Sequence, residues 1–243
     1  MRSKQLKYSI LLIALSTTGC AGGPAGMTYT GYHLSVEPPG AVQVETTVTE
    51  LKAAPNSPMG HYETGLDLYK KRDYEHAIPE FQESRRLNPD IPANYFFLEY
   101  CYTGLGEPVK ANQAIKALTT RNIPLATRSD AFKDLGFTYL DLDNAADAKG
   151  AFIQSLTMKP DEATAYYGLA EAAARCCELD AAKRYFRTAA KVAKSTKFKA
   201  QAHAALGKLA LDMGDIATAK SEFKTALSKD PKQELALSWG RSL

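Results

Sequence analysis

Three glycines, Gly65, Gly136 and Gly207, stand 71 residues apart, and four further sets keep the same interval. They are Ala77, Ala148 and Ala219; Phe81, Phe152 and Phe223; Pro89, Pro160 and Pro231; and, more loosely, Leu87, Met158 and Lys229. Between them lie two segments with the same internal pattern, one carrying Tyr95, Leu98, Tyr102, Ala111 and Ile115, the other Tyr166, Leu169, Ala173, Ala182 and Phe186. The unit is therefore about 34 residues, and 71 is one step of 34 plus one of 37, with three extra residues expected around Thr120 to Thr127 and again around Lys191 to Phe198. Self-similarity at a fixed period excludes most folds at once: each unit is a small supersecondary element that buries its apolar face only by stacking on its neighbours.

A unit with a small residue in its first half, Ala followed four residues later by an aromatic in its second half, and Pro near its end resembles the tetratricopeptide repeat. Arg72-Asp73-Tyr74-Glu75-His76-Ala77-Ile78-Pro79-Glu80-Phe81, Ala146-Asp147-Ala148-Lys149-Gly150-Ala151-Phe152 and Ala217-Thr218-Ala219-Lys220-Ser221-Glu222-Phe223 carry the likeness. It implies an all-α, right-handed superhelical solenoid of about five helical hairpins. The expected units are 58–91, 92–128, 129–162, 163–199 and 200–231, with a capping helix in 232–243 formed by Leu235, Leu237 and Trp239. Gly65, Gly136, Gly207 and Ala170 mark where the two helices of a hairpin cross, with the alanines of the second helix opposite, and the phenylalanines fill the space between hairpins. Glu99 stands at that crossing in the second unit, so it must turn outward or find a partner, because an unpaired buried carboxylate is costly. Pro89, Pro160 and Pro231 close the second helices, and Pro79 and Pro108 are placed in first turns, where a missing N–H costs little.

The N-terminus has the three parts of a secretory signal in 1–19: basic Arg2, Lys4 and Lys7, an apolar run from Tyr8 to Leu15 too short to cross a bilayer, and small residues up to Gly19. Gly19-Cys20 resembles the lipobox of bacterial lipoproteins, although Thr17 stands where that family usually has Leu. The likeness implies acylation of Cys20 and, since Ala21 rather than Asp follows, an outer-membrane destination; ordinary cleavage nearby would leave Cys20 a free thiol. Residues 20–57 read as a lipidated cysteine and a flexible tether reaching roughly 30–35 Å, with Val42 to Val48 as a possible extended strand. Cys101, Cys176 and Cys177 read as small packing residues, with a redox role for Cys177 as the alternative. The formal charge of +3 comes from the three basic residues of the signal; without them 27 basic residues face 27 acidic ones. That balance argues against nucleic acid as the partner.

The histidines, His33, His61, His76 and His203, are scattered with no Cys or carboxylate at metal-ligand spacing, and neither a phosphate loop nor a nucleophile elbow occurs. The reading is therefore a non-catalytic protein with no metal and no cofactor. In tetratricopeptide arrays the first helices line a concave groove, and projecting that face selects Tyr62, Leu66 and Tyr69, then Phe96 and Tyr100. It continues with Lys133, Phe137 and Asp141, then Tyr167 and Glu171, and finally Ala204, Lys208 and Asp212. The groove is thus expected to be aromatic first and polar later, suited to an apolar helix or extended peptide of a protein partner. The Lys and Asn with which some family members clamp a C-terminal carboxylate are absent, Tyr62 and Leu66 standing there. Arg184, Arg187, Lys191 and Lys194 recur at helical spacing on an outer face.

Arg128-Ser129-Asp130-Ala131-Phe132-Lys133-Asp134-Leu135-Gly136, followed by Ala148-Lys149, Phe152 and Ser155-Leu156, resembles the pilotin lipoproteins that assist secretin assembly in type IV pili; a tight-adherence pilus lipoprotein is nearly as good a match. The resemblance implies a periplasm-facing outer-membrane scaffold for a pilus or secretion machine. The alternative is an adaptor for periplasmic cell-wall hydrolases or proteases.

Overall fold

The computed structural model describes residues 56–240; the expectations for the signal, Cys20, the tether and residues 42–48 lie outside them. Eleven helices follow one another, with no strand among the described residues. They pair as hairpins: α1 (Pro58–Lys70) with α2 (Tyr74–Leu87), α3 (Pro92–Gly104) with α4 (Pro108–Thr119), and α5 (Leu125–Asp141) with α6 (Ala145–Met158). α7 (Ala163–Arg175) pairs with α8 (Leu179–Val192), α9 (Thr196–Asp212) with α10 (Ile216–Lys229), and α11 (Glu234–Gly240) closes the array. Consecutive first helices touch, α1 with α3 and α5 with α7, whereas each second helix leans on the next hairpin's first helix. The first helices therefore lie on the inner side of the curve and the second helices on the outer side.

The joint inside every hairpin is built alike. A left-handed residue follows the first helix, with φ of 62° at Arg72, 72° at Gly106, 56° at Asp143, 59° at Cys177 and 76° at Gly214. The next residue then donates its N–H back to the last turn, from Asp73 to Leu68 O (3.0 Å), Glu107 to Tyr102 O (2.8 Å), Asn144 to Tyr139 O (2.8 Å), Glu178 to Ala173 O (2.9 Å) and Asp215 to Ala210 O (2.8 Å). This is the Schellman closure that satisfies helix-end carbonyls. Three of the five turns use a residue with a side chain in a region that glycine enters at lower cost.

The 71-residue alternation has a structural counterpart. Asp73, Asn144 and Asp215 cap the second helices of hairpins one, three and five by accepting from His76 N, Asp147 N and Thr218 N, while Glu107 and Glu178 in hairpins two and four make no such bond. The extra residues do not swell a loop. They lengthen the next first helix, so that α5 and α9 have 17 residues against 13 in α1, α3 and α7.

Packing centres on a ring set against bare backbone. A Cβ at Gly65 would lie 2.9 Å from the Phe81 ring, at Gly136 2.7 Å from Phe152, and at Gly207 2.8 Å from Phe223. Phe152 is held from both sides, because a Cβ on Gly168 of the following hairpin would approach it to 2.2 Å. All three rings are fully buried. The phenylalanines thus press first on their own hairpin's glycine and only then bridge to the next unit. Buried hydroxyls clasp the two helices of a hairpin, Ser84 donating to Pro58 O (2.6 Å) and Ser129 to Ser155 O (3.0 Å), and Ser84 also accepts from Asn94 Nδ2 (2.9 Å) of the next hairpin.

Some details depart from expectation. Pro79 is not in a first turn but is the sixth residue of α2; it is exposed, and water can serve the carbonyl its missing N–H leaves free. Pro108 is the first residue of α4, as expected. Leu235 and Ala236 cover the last hairpin, and Trp239, 43% exposed, does not. Cys101 is a buried packing residue whose thiol burial pushes up to about 12, with Glu99 adding to the shift. Cys177 sits exposed in its turn rather than in the core.

Gly168→Ala tests the double-sided packing. Helix propensity alone favours alanine by about 1 kcal/mol. The clash with the Phe152 ring outweighs it, and thermal melting should report a net loss of about 1–3 kcal/mol; an unchanged or higher Tm would contradict the packing described.

Candidate protein-binding groove

The inner face of the first two hairpins is an aromatic cluster organised by Phe97 of α3. Its ring stacks on Phe81 at 5.1 Å with an 8° interplanar angle and meets Tyr69 edge-on at 5.0 Å, Tyr62 at 5.9 Å and Tyr100 at 6.3 Å. Phe97 takes the place that Gly168 occupies two hairpins on, so Phe81 is sandwiched between Gly65 and a ring where Phe152 lies between two glycines. Tyr62, Leu66, Tyr69, Phe97 and Tyr100 are all half-buried, which leaves part of each exposed. Burial pushes the Tyr62 phenol up, and burial followed by its neighbour Tyr74 pushes Tyr69 up to about 12. These rings are neutral, partly dry surface.

The remaining expected groove residues divide. Phe96 is half-buried against the cluster of Ile115, Leu118 and Ala131, towards the third hairpin, and Phe137 packs edge-on against Phe152 at 5.0 Å with part of its ring exposed. Tyr167 does not line the groove. It is 1% exposed, wedged between Phe186 at 5.2 Å and Phe198 at 5.8 Å. The physical reason is the longer α9: Phe198 belongs to its first turn and closes over the tyrosine. Ala204 is likewise buried. Lys208 and Asp212 pair at 3.0 Å.

Between the aromatic and polar halves lies a buried ionic cluster that repeat spacing did not disclose. Lys133, 3% exposed, stands 3.5 Å from Asp130 and 3.7 Å from Asp134, and the Tyr100 hydroxyl donates to Asp134 Oδ2 at 3.3 Å. Burial pulls the Lys133 ammonium down, but Asp134, Asp130 and Glu162 more than offset it and leave it raised. Glu99 points inward rather than outward. Thr103 donates to its Oε1 at 3.2 Å, and Oε2 has no hydrogen-bond partner. Burial, and then the nearby Asp134, hold Glu99 well above the usual carboxylate range. Burial also raises Asp134, against the pull of Lys133.

No group of three potential metal ligands occurs among the described residues. His61 and His203 instead pair with Glu80 (2.7 Å) and Glu222 (2.8 Å) at equivalent places in hairpins one and five. No described helix is long and apolar enough to cross a membrane. On the outer side, Arg184, Arg187, Lys191 and Lys194 are all exposed, as their spacing implied.

The glycine-on-phenylalanine crossing of hairpins one, three and five, within a run of five stacked hairpins, agrees with the matches to known families. Residues 134–195 and 200–233 each match a model described as tetratricopeptide repeat. Those two segments carry tetratricopeptide repeats, and the hairpins before them share the same architecture. Solved structures agree: pilF of Pseudomonas aeruginosa is 17% identical with a TM-score of 0.63, the match covering 78% of this chain and 83% of that one. MamA of Desulfovibrio magneticus RS-1 is 17% identical with a TM-score of 0.62, covering 73% and 97%. YrrB, described as a tetratricopeptide protein with an unusual peptide-binding site, is 15% identical with a TM-score of 0.59, covering 77% and 93%. At these identities the likeness establishes the fold alone. No curated protein matches the sequence. The tetratricopeptide fold suggests a protein–protein interaction scaffold, and such scaffolds are generally non-catalytic.

The raised carboxyls give a pH dependence of known sign. An acid whose folded-state pKa lies above its unfolded value costs nothing below the unfolded value. Above it stability is lost, because only the unfolded chain ionises freely until the folded pKa is reached. Glu99→Gln, which stays neutral, is therefore expected to raise Tm at pH 7.5 and leave it unchanged near pH 4. Thermal melts at the two pH values check this, and equal effects at both would contradict a raised Glu99 carboxyl.

Proposed function

We propose that this protein is a lipid-anchored scaffold of the bacterial outer membrane that faces the periplasm. It holds an apolar helix or extended peptide of a pilus or secretion component in the first half of its groove. The observation that carries the reading is the set of half-buried rings Tyr62, Tyr69, Phe97 and Tyr100 on the inner face of the first two hairpins. Rigid aromatics offer large contact area at low side-chain entropy cost, and tyrosine adds a polar rim for main-chain groups. The buried cluster of Glu99, Asp134 and Lys133 ends the apolar stretch, so a ligand is gripped at one end of the array rather than along it. Support for the peptide comes from YrrB, which shares the fold and is described by its peptide-binding site; support for the pilus comes from pilF. Anchorage rests on the Gly19-Cys20 motif.

Affinity capture with the lipidated protein from envelope extracts is expected to recover secretin or pilus subunits, and deletion of the protein is expected to reduce secretin multimers. Recovery of cell-wall hydrolases with normal multimers would overturn the pilus reading. The double variant Tyr62→Ala/Tyr69→Ala, at the free end of the array where its cost to folding is least, should weaken partner capture at least about tenfold while circular dichroism still shows a cooperative melt. Separately, Cys20→Ser should move the protein from the detergent-dependent membrane fraction to the soluble periplasmic fraction; retention in the membrane would exclude acylation at Cys20 as the anchor.

A further inference from the structure

The outer side of the last two hairpins carries positive charge that the fold leaves unneutralised. Arg184, Arg187 and Lys191 on α8, with Lys194 just beyond its end, are exposed and separated by steps of three, four and three residues. On the helix that spacing places Arg184, Arg187 and Lys191 in one stripe about 10 Å long, and Lys194 follows past the non-helical Ala193. The opposite face of the helix is the buried one, formed by Ala182, Phe186, Ala189 and Ala190. Asp180, in the first turn, is the one acidic residue on the stripe.

The stripe widens onto the next hairpin. Lys183 Nζ lies 3.9 Å from Asp215, the residue that caps α10, which ties the starts of the two outer helices together. α10 then presents Lys220 and Lys224, exposed and one turn apart. The carboxylates that might have balanced these cations are engaged elsewhere: Asp215 with Lys183, Glu222 with His203 at 2.8 Å, and Asp212 with Lys208 at 3.0 Å. The other outer helices are unlike this. On α2 Arg86 pairs with Glu83 at 2.7 Å, on α4 Lys110 pairs with Glu107 at 2.7 Å and leaves Lys116 as a single exposed cation, and Asp147 is the one charged residue among the exposed positions of α6.

We propose that the outer face of hairpins four and five is a docking surface for an anionic phospholipid bilayer. The charges are long, flexible side chains on a convex surface, spread over two helices. Such an arrangement meets a planar field of headgroups at many points, each adding attraction near the membrane. A shaped partner would call for a cleft or an aromatic anchor, and those lie on the opposite, inner face around Phe97. Docking by the outer face lays the array on the bilayer with its groove turned away from the lipid. The inference does not require the groove to hold a ligand or Cys20 to be acylated.

Co-sedimentation tests it with the mature chain from residue 20, carrying Cys20→Ser so that no acyl group is present. Vesicles of pure phosphatidylcholine are compared with vesicles in which about a third of the lipid is phosphatidylglycerol. Binding is expected to the anionic vesicles only, to vanish at about 0.5 M NaCl, and to fall about 100-fold in Arg184→Glu/Arg187→Glu/Lys191→Glu/Lys194→Glu. Lys220→Glu/Lys224→Glu, a smaller change that guards against misfolding of the fourfold variant, is expected to lose about tenfold, and Lys70→Glu/Lys116→Glu in the first hairpins to lose nothing. Binding equal on the two vesicle types, binding unaffected by the α8 and α10 substitutions, or association with an acidic protein in the absence of vesicle binding would each overturn the proposal. Cys20 fractionation and partner capture read other features, so their failure and failure here are separable.

Discussion

A phenylalanine ring lying on glycine backbone is the contact on which the array depends. It sets how near the two helices of a hairpin stand, and the same ring then meets the first helix of the following unit. Phe152 shows the arrangement in full, pressed between Gly136 and Gly168 with no room for a methyl group on either side. Hairpin geometry and stacking geometry are therefore not independent: a change that moves the ring alters both. Because each unit reaches only its neighbours, such a change acts locally in space yet on two joints at once.

The second hairpin departs from this rule, and the groove takes its character from the departure. Glu99 stands where its counterparts are Gly or Ala, and Ile115 stands where they have Phe. A smaller side chain on one helix makes room for a larger one on the other. The exchange carries a carboxyl into the interior between α3 and α5, where burial holds its pKa up beside Tyr100, Asp134 and Lys133. On the other side of the same hairpin Phe97 fills a place that is glycine in hairpin four, and it gathers Tyr62, Tyr69 and Tyr100 around it. One irregular unit thus separates an aromatic surface from a polar one.

How much of this was legible in the sequence depends on whether a residue's role repeats. Gly65, Phe81 and Pro89 recur with their counterparts at a fixed interval, so helix order, hairpin crossings and the ends of the second helices could be read directly. Phe97 has a counterpart of unlike chemistry, so spacing carried no signal for it, and projection named Lys133 as groove-lining without showing that it is buried beside Asp130 and Asp134. Tyr167 was misplaced for a different reason. Its position within its own helix is groove-facing, but the residue that covers it, Phe198, comes from an extra turn in another helix, and a projection of one helix cannot show that. The capping helix was legible, but within it Trp239 is left 43% exposed while the smaller Leu235 and Ala236 are buried against the last hairpin.

The alternation between capped and uncapped second helices, and between short and long first helices, makes the joints of two kinds. A joint after hairpin two or four receives a first helix with an additional turn; a joint after hairpin one or three does not. Deleting a single hairpin would bring together first helices of the wrong length for their neighbours, whereas deleting a pair would preserve the order of short and long first helices, so the helix register of this chain repeats in doublets of seventy-one residues.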